Sequence, residues 1–309
     1  MDLFQESIDY FNNPEKWAEE FTKKSLGLAW SPDSIDLQTD KRDFKEKLSQ
    51  IERIAVARSL ISISQSEVSV KNFWWRLGSN IPNVLIKDAG ISMAAAEVAH
   101  NIICRRCLSS FDLEKDYIEA CQMPHMKDRM RQLKKYLYRF HKNEEKQFLT
   151  SLILFNFFVE NISIFSHIYV IMSICKHNKM INLNRILKKI LSEERLHIAF
   201  GVALVKRIKE ESPHLFDENL HDLIKSEIIK AMMLEVTSIS WSINGMHCEG
   251  MSLDIIKEFI KKRIDDVLEK MEISVKPWFV YDEDKSSESS WFEETFLNDS
   301  SGNSYKFTN

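Results

Sequence analysis

Ala95-Ala96-Glu97-Val98-Ala99-His100-Asn101 and Ser192-Glu193-Glu194-Arg195-Leu196-His197-Ile198 each hold Glu-x-x-His. Residues three apart lie on one helix face, so each acid and imidazole can share a metal. One such pair is weak, because a chain with nine histidines should hold roughly one match by chance. A third match, Glu218/His221, shows what chance looks like. The apolar stripe there runs through Leu220, Leu223, Ile224 and Ile228, and the pair falls beside Asp217 and Asp222 on a solvated face. The first two pairs instead sit on core stripes: Met93, Glu97, His100, Cys104, Cys107, Phe111, and Leu187, Ile190, Glu194, His197, Gly201, Leu204. A carboxylate pointing where core residues point is costly unless it is paired or bound to metal.

Two further helices aim a lone acid inward. Glu67 shares a stripe with Val56, Leu60, Ile63 and Val70, and Glu160 with Ile153, Phe157, Ile164 and Ile171. Either acid alone is as readily a buried carboxylate satisfied by an arginine or a hydroxyl. Together the four helices supply one Glu from each of two and Glu-x-x-His from each of the others. That is the ligand set of ferritin-like di-iron and di-manganese carboxylate proteins. Carboxylates and imidazoles suit Fe or Mn better than a thiolate-loving metal. The fold expected is all-α, a ferritin-like helical bundle with a dinuclear metal site in its core.

Composition agrees. Only 7 glycines and 6 prolines occur in 309 residues, so helices run long and uninterrupted. The net charge of −4 argues against a nucleic-acid binder relying on a basic surface. Five cysteines, an odd number, read as reduced thiols and a cytoplasmic setting rather than a disulfide framework. No apolar run reaches the ~18 residues that span a bilayer, since Asn156, Glu160, Asn161 and His167 interrupt the longest, so no membrane partner is expected. Periodicity predicts helices over about 42–74 (with Asp40 as its cap), 87–110, 112–121, 126–141, 144–176, 183–211, 219–243 and 252–271. Residues 1–40 read as an N-terminal arm, 41–278 as the helical domain, and the polar segment 279–309 as a flexible tail.

On these residues the chain resembles the ribonucleotide reductase small-subunit family. The order Glu, Glu-x-x-His, Glu, Glu-x-x-His matches, as does the 34-residue step from Glu160 to Glu194. AWSPDSIDLQTD (residues 29–40), KPWFVYDED (276–284) and WFEE (291–294) resemble the family's segments before the first ligand helix and at its exit into the tail. The resemblance implies that Glu67, Glu97, His100, Glu160, Glu194 and His197 ligate two metals, which store a one-electron oxidant for a catalytic large subunit. It also implies that Trp30 is the relay tryptophan. Glu193 stands where the family has an Asp joining a ligand histidine to that tryptophan. The tail would dock on the large subunit and carry a relay tyrosine, Tyr305, with Tyr281 as its rival. A homodimer is implied as well.

Cys104 departs from the pattern, standing four residues after His100 where many members hold a radical-bearing tyrosine. Some members lack it, keep the oxidant on a Mn/Fe pair and have Glu as first ligand, as here. The resemblance therefore points to Mn/Fe ahead of Fe/Fe. Cys104 is a redox candidate but reads more simply as a small buried hydrophobe. A second reading is a stand-alone ferritin-like dimetal oxidase or oxygenase acting on a small organic substrate. Some resemble this family but crosslink a Tyr to a Val near the metals, and here the positions are Val70 and Phe155, which lacks the hydroxyl. A third is a metal-free helical interaction protein, which the complete ligand set opposes.

Overall fold

The computed structural model describes residues 3–138, 145–176, 178–273 and 279–297. In chain order its helices are α1 (Trp17–Leu28), α2 (Gln38–Glu46), α3 (Gln50–Asn80), α4 (Val84–Ser110), α5 (Glu114–Ala120), α6 (Pro124–Tyr138), α7 (Glu145–Leu154), α8 (Ile164–Cys175), α9 (Ile181–Glu211), α10 (Glu218–Ile243), α11 (Leu253–Lys270), α12 (Glu283–Glu288) and α13 (Ser290–Leu297). A π-helical stretch, Phe155–Ser163, joins α7 to α8 without a break. Helices α3, α4, α9 and the α7–π–α8 run form the central bundle. On its flanks α1 lies on α4 and α9, α10 on α3 and α6, and α11 on the π stretch.

Local chemistry sets the starts of the long helices. Ser49 and Glu52 form a reciprocal capping box that opens α3. Asp40 does not cap this helix, as the sequence suggests. It lies buried in α2, and its carboxylate accepts from the Leu183 N–H at 2.8 Å, while Asp43 accepts from Met180 N–H at 3.1 Å. Two acids from α2 thus satisfy the orphan donors that begin α9, the helix carrying Glu194. The expected single helix over 42–74 accordingly divides at residues 47–49 into α2 and α3. At Gly90 a Cβ would stand 2.7 Å from the Trp74 carbonyl oxygen, so glycine lets α3 and α4 approach closely there.

Glu145–Cys175 is long and apolar enough to cross a membrane (mean hydropathy 1.7), but 94% of its most apolar window is buried inside the bundle. Every residue of its π stretch is buried. The C-terminal region also differs from the expected tail beginning at 279. Residues 283–297 form α12 and α13, and Phe292 is fully buried against Phe165, Tyr169 and Phe259.

Beside the central bundle lies a buried ion pair. Arg129 on α6 donates to Glu235 on α10 at 3.0 Å, to the Ser62 carbonyl at 3.1 Å, and to Ser163 in the π stretch. Glu235 also accepts from Ser166 at 2.7 Å and lies 3.2 Å from His167. Burial alone would raise the Glu235 carboxyl, but Arg129 and His167 hold it down at about 2, below its ordinary 4.5. The unfolded chain therefore takes up this proton more readily than the folded one. The stabilisation is complete above pH 4.5 and fades as pH falls toward 2. Arg129→Met should cost about 3–5 kcal/mol at neutral pH by leaving Glu235 charged and alone. Urea unfolding of both proteins should show this gap narrowing as pH falls below 4.5.

Candidate metal centre

Glu67 on α3, Glu97 and His100 on α4, Glu160 on the π stretch, and Glu194 and His197 on α9 converge at the centre of the bundle, each completely buried. They form two overlapping groups whose donor atoms lie within 4.8 Å of one another: Glu67, Glu97, His100 and Glu194, and Glu97, Glu160, Glu194 and His197. The two Glu-x-x-His carboxylates are common to both. Glu97 places one oxygen 3.2 Å from His100 Nδ1 and the other 2.8 Å from His197 Nδ1, and Glu194 spans the same atoms at 3.2 and 3.4 Å. Glu67 and Glu160 stand at opposite ends. Two acids are thus common to both groups, and each group has one further acid and one imidazole.

The donors fit metal ions for a specific reason. Among the described residues, the ion-pair partners of these four carboxylates are the two histidines, with no lysine or arginine. Both oxygens of Glu67 and of Glu194, and both ring nitrogens of His197, lack a hydrogen-bond partner although fully buried. Glu235, a fifth inward acid, has its arginine. The alternative of a carboxylate satisfied by an arginine is thus realised at Glu235 and not at the cluster. Burial, reinforced by Glu97, pushes Glu67 well above the usual carboxylate range, and burial with Glu194 does the same to Glu160. Burial opposes charge on His100 and His197, yet the surrounding carboxylates raise both. Protons favoured here by burial and crowding would be displaced by metal ions on uptake.

Neighbouring groups orient the cluster. Glu193 accepts from Trp30 Nε1 at 2.8 Å, and the same oxygen lies 2.9 Å from His100 Nε2. The arm, one methylene longer than aspartate, therefore reaches both. Trp30 is partly exposed, with Lys189 Nζ 5.6 Å from its ring. Opposite, Trp74 donates to Glu160 at 2.7 Å and packs against Phe155 and His197. Sequence reading passed over Trp74, although it stands two turns after Glu67 on the same face of α3. Asn156 donates to the His197 carbonyl at 3.2 Å, in space left by Gly201, where any Cβ would strike the amide.

Cys104 and Cys107 are both free and buried. Burial and the Glu67 carboxylate push the Cys104 thiol well up, and burial puts Cys107 at about 12, so neither is a thiolate at neutral pH. Tyr281 donates to Asp265, and Tyr305 lies outside the described residues. The Glu218/His221 pair points away from the core, Glu218 exposed and His221 partly so.

Comparison with known proteins follows this geometry. The family model described as ribonucleotide reductase, small chain, matches residues 7–281. A ribonucleoside-diphosphate reductase subunit beta from Chlamydia pneumoniae is 24% identical over 297 residues, covering 90% of this chain and 86% of that protein. The ribonucleotide reductase R2 subunit from Clostridium botulinum superposes with a TM-score of 0.81 at 20% identity, covering 91% of this chain and 88% of its own. An R2-like ligand-binding oxidase variant with a Mn/Fe cofactor gives 0.72 at 16% identity, covering 86% and 96%. Glu194→Ala removes a donor common to both groups. Metal bound per chain should fall from about two to below one, as read by plasma mass spectrometry, while helicity persists.

Proposed function

Because the chain belongs to the ribonucleotide reductase small-chain family, we propose that it is the small subunit of a class I ribonucleoside-diphosphate reductase. Glu67, Glu97, His100, Glu160, Glu194 and His197 would hold two metal ions, Mn/Fe ahead of Fe/Fe, for reduction of ribonucleotides on a large catalytic subunit. When bound, the metals supply one-electron oxidising capacity on reaction with an oxygen species.

One observation carries this reading: the continuous contact from the cluster through His100 and Glu193 to the partly exposed Trp30. His100 turns Nδ1 toward the cluster. With Nδ1 given to a metal, Nε2 would keep its proton and hydrogen-bond to Glu193. The Trp30 N–H rests on the same carboxylate oxygen. If the loaded centre takes an electron from the indole, that N–H becomes acidic, and the Glu193 carboxylate beside it is placed to accept the proton, so no positive charge would remain on the ring. A partner seated over Trp30 would then exchange an electron with the buried centre. A stand-alone enzyme has no need of such an outlet. With Cys104 protonated and not a phenol, the oxidant is assigned to the metals.

The tail, with Tyr305 as relay candidate ahead of Tyr281, would dock on the large subunit in a cytoplasmic enzyme. The homodimer would form over the exposed apolar strip of α3 and α4, where Val68, Trp75, Ile91 and Val98 face outward. The second reading, a dimetal oxidase, is favoured by the fold shared with the R2-like ligand-binding oxidase. Against it, Phe155 is stacked on Phe73 with no hydroxyl to crosslink Val70.

Loading the metal-free chain with Mn and Fe together under air should give about two metals per chain, near one of each, by plasma mass spectrometry. Stoichiometric iron without manganese would overturn the Mn/Fe assignment, and no metal would overturn the enzymatic reading. Trp30→Phe should keep that metal content yet abolish turnover with the large subunit. Full turnover in this variant would remove Trp30 from the relay.

A further inference from the structure

Helix α13 is seated in a built dock. Phe292 fills the core, and the Trp291 indole donates to the Tyr169 hydroxyl at 3.1 Å with Lys176 Nζ 3.6 Å from its ring. The next residue, Glu293, extends both carboxylate oxygens to arginines from other helices. Oε1 accepts from Arg263 Nη1 of α11 at 2.5 Å, and Oε2 from Arg195 Nη2 of α9 at 2.6 Å.

Each arginine abuts a ligand-bearing segment. Arg195 directly follows Glu194 in sequence. Arg263 directs its other donors at Asn161, the residue following Glu160: Nε to the main-chain oxygen and Nη2 to the side-chain oxygen, both at 2.7 Å. Asn161 returns a bond to the Arg263 carbonyl at 2.8 Å, and the guanidinium packs over Phe165 at 3.6 Å. Wide π winding leaves main-chain carbonyls open to side-chain donors, and here one is clamped beside a ligand.

We propose that Glu293 is a positioning residue for the metal centre, fixing through Arg195 and Arg263 the segments that carry Glu194 and Glu160. The inference rests on the dinuclear reading above. Glu194 belongs to both donor groups and Glu160 to one. A carboxylate on α13 therefore braces the segment of a donor common to both groups and that of a donor belonging to one. Without it, Arg195 and Arg263 lose the anion they share, and the two segments they hold are less firmly fixed. Bound metal then leaves faster because its ligands are less well held.

The test is chelator-driven release of manganese from the loaded full-length chain, with the Mn electron paramagnetic resonance spectrum recorded beforehand. Glu293→Gln should accelerate release about tenfold and alter the Mn spectrum, with unchanged far-UV circular dichroism and unfolding midpoint of the metal-free chain. Glu293→Asp, which retains the charge, should recover much of the difference. If Glu293→Gln fails to fold, Arg195→Met severs the arm beside Glu194 without touching the Phe292 anchor, and should show the same faster release. Normal uptake with release and spectrum as in the unsubstituted chain overturns this inference alone. No uptake by the unsubstituted chain overturns the dinuclear reading, and this inference with it.

Discussion

Four carboxylates and two imidazoles meet at the centre of this bundle with no lysine or arginine among the described residues to balance them. Taking that many acids out of water is tolerable only with cations or protons among them. Much of the surrounding architecture follows from the requirement. Long helices carry the donors rather than loops, each donor is packed on all sides, and the acids that shape the rest of the fold have partners of their own. Asp40 and Asp43 take the N–H groups that begin α9, and Glu235 takes Arg129. Acids with basic or main-chain partners do structural work at the periphery, and those at the centre have the chemistry of a metal site.

The π stretch is where this requirement meets the backbone. Its wider turn sets Glu160 at the end of the cluster and leaves polar groups that neighbouring elements grip. Arg263 holds Asn161, Arg129 holds Ser163, and Asn156 reaches across to the His197 carbonyl. Each contact joins the stretch to a different helix: α11, α6 and α9. A segment whose own hydrogen bonding is less regular than an α-helix is thereby held as firmly as one.

The two indoles beside the cluster illustrate how position decides role. Trp74 touches Glu160 directly but is enclosed by Phe155 and Phe200 with no exposed edge. Trp30 reaches the cluster through Glu193 and is partly exposed. An outlet for electrons toward a partner needs the second arrangement. The first holds a ligand in place.

The long helices and the inward-pointing acids were legible in the sequence because each depends on periodicity within one helix. Glu97 and His100 had to share a face wherever α4 went, and so did Glu194 and His197. The scattered cysteines and scarce glycines likewise needed no neighbours to interpret. What remained hidden depends on distance across the chain. Nothing near Asp40 says that its partner is 143 residues away, and nothing near Glu235 distinguishes it from Glu67 until Arg129 lies beside it. A polar segment such as 283–297 has the composition of a tail, yet two aromatic residues and one acid suffice to dock it when the receiving pocket and arginines come from α8, α9 and α11. The π winding escaped for the same reason: apolar spacing identifies a helix, but the bonds that widen it are stabilised by residues from elsewhere in the fold.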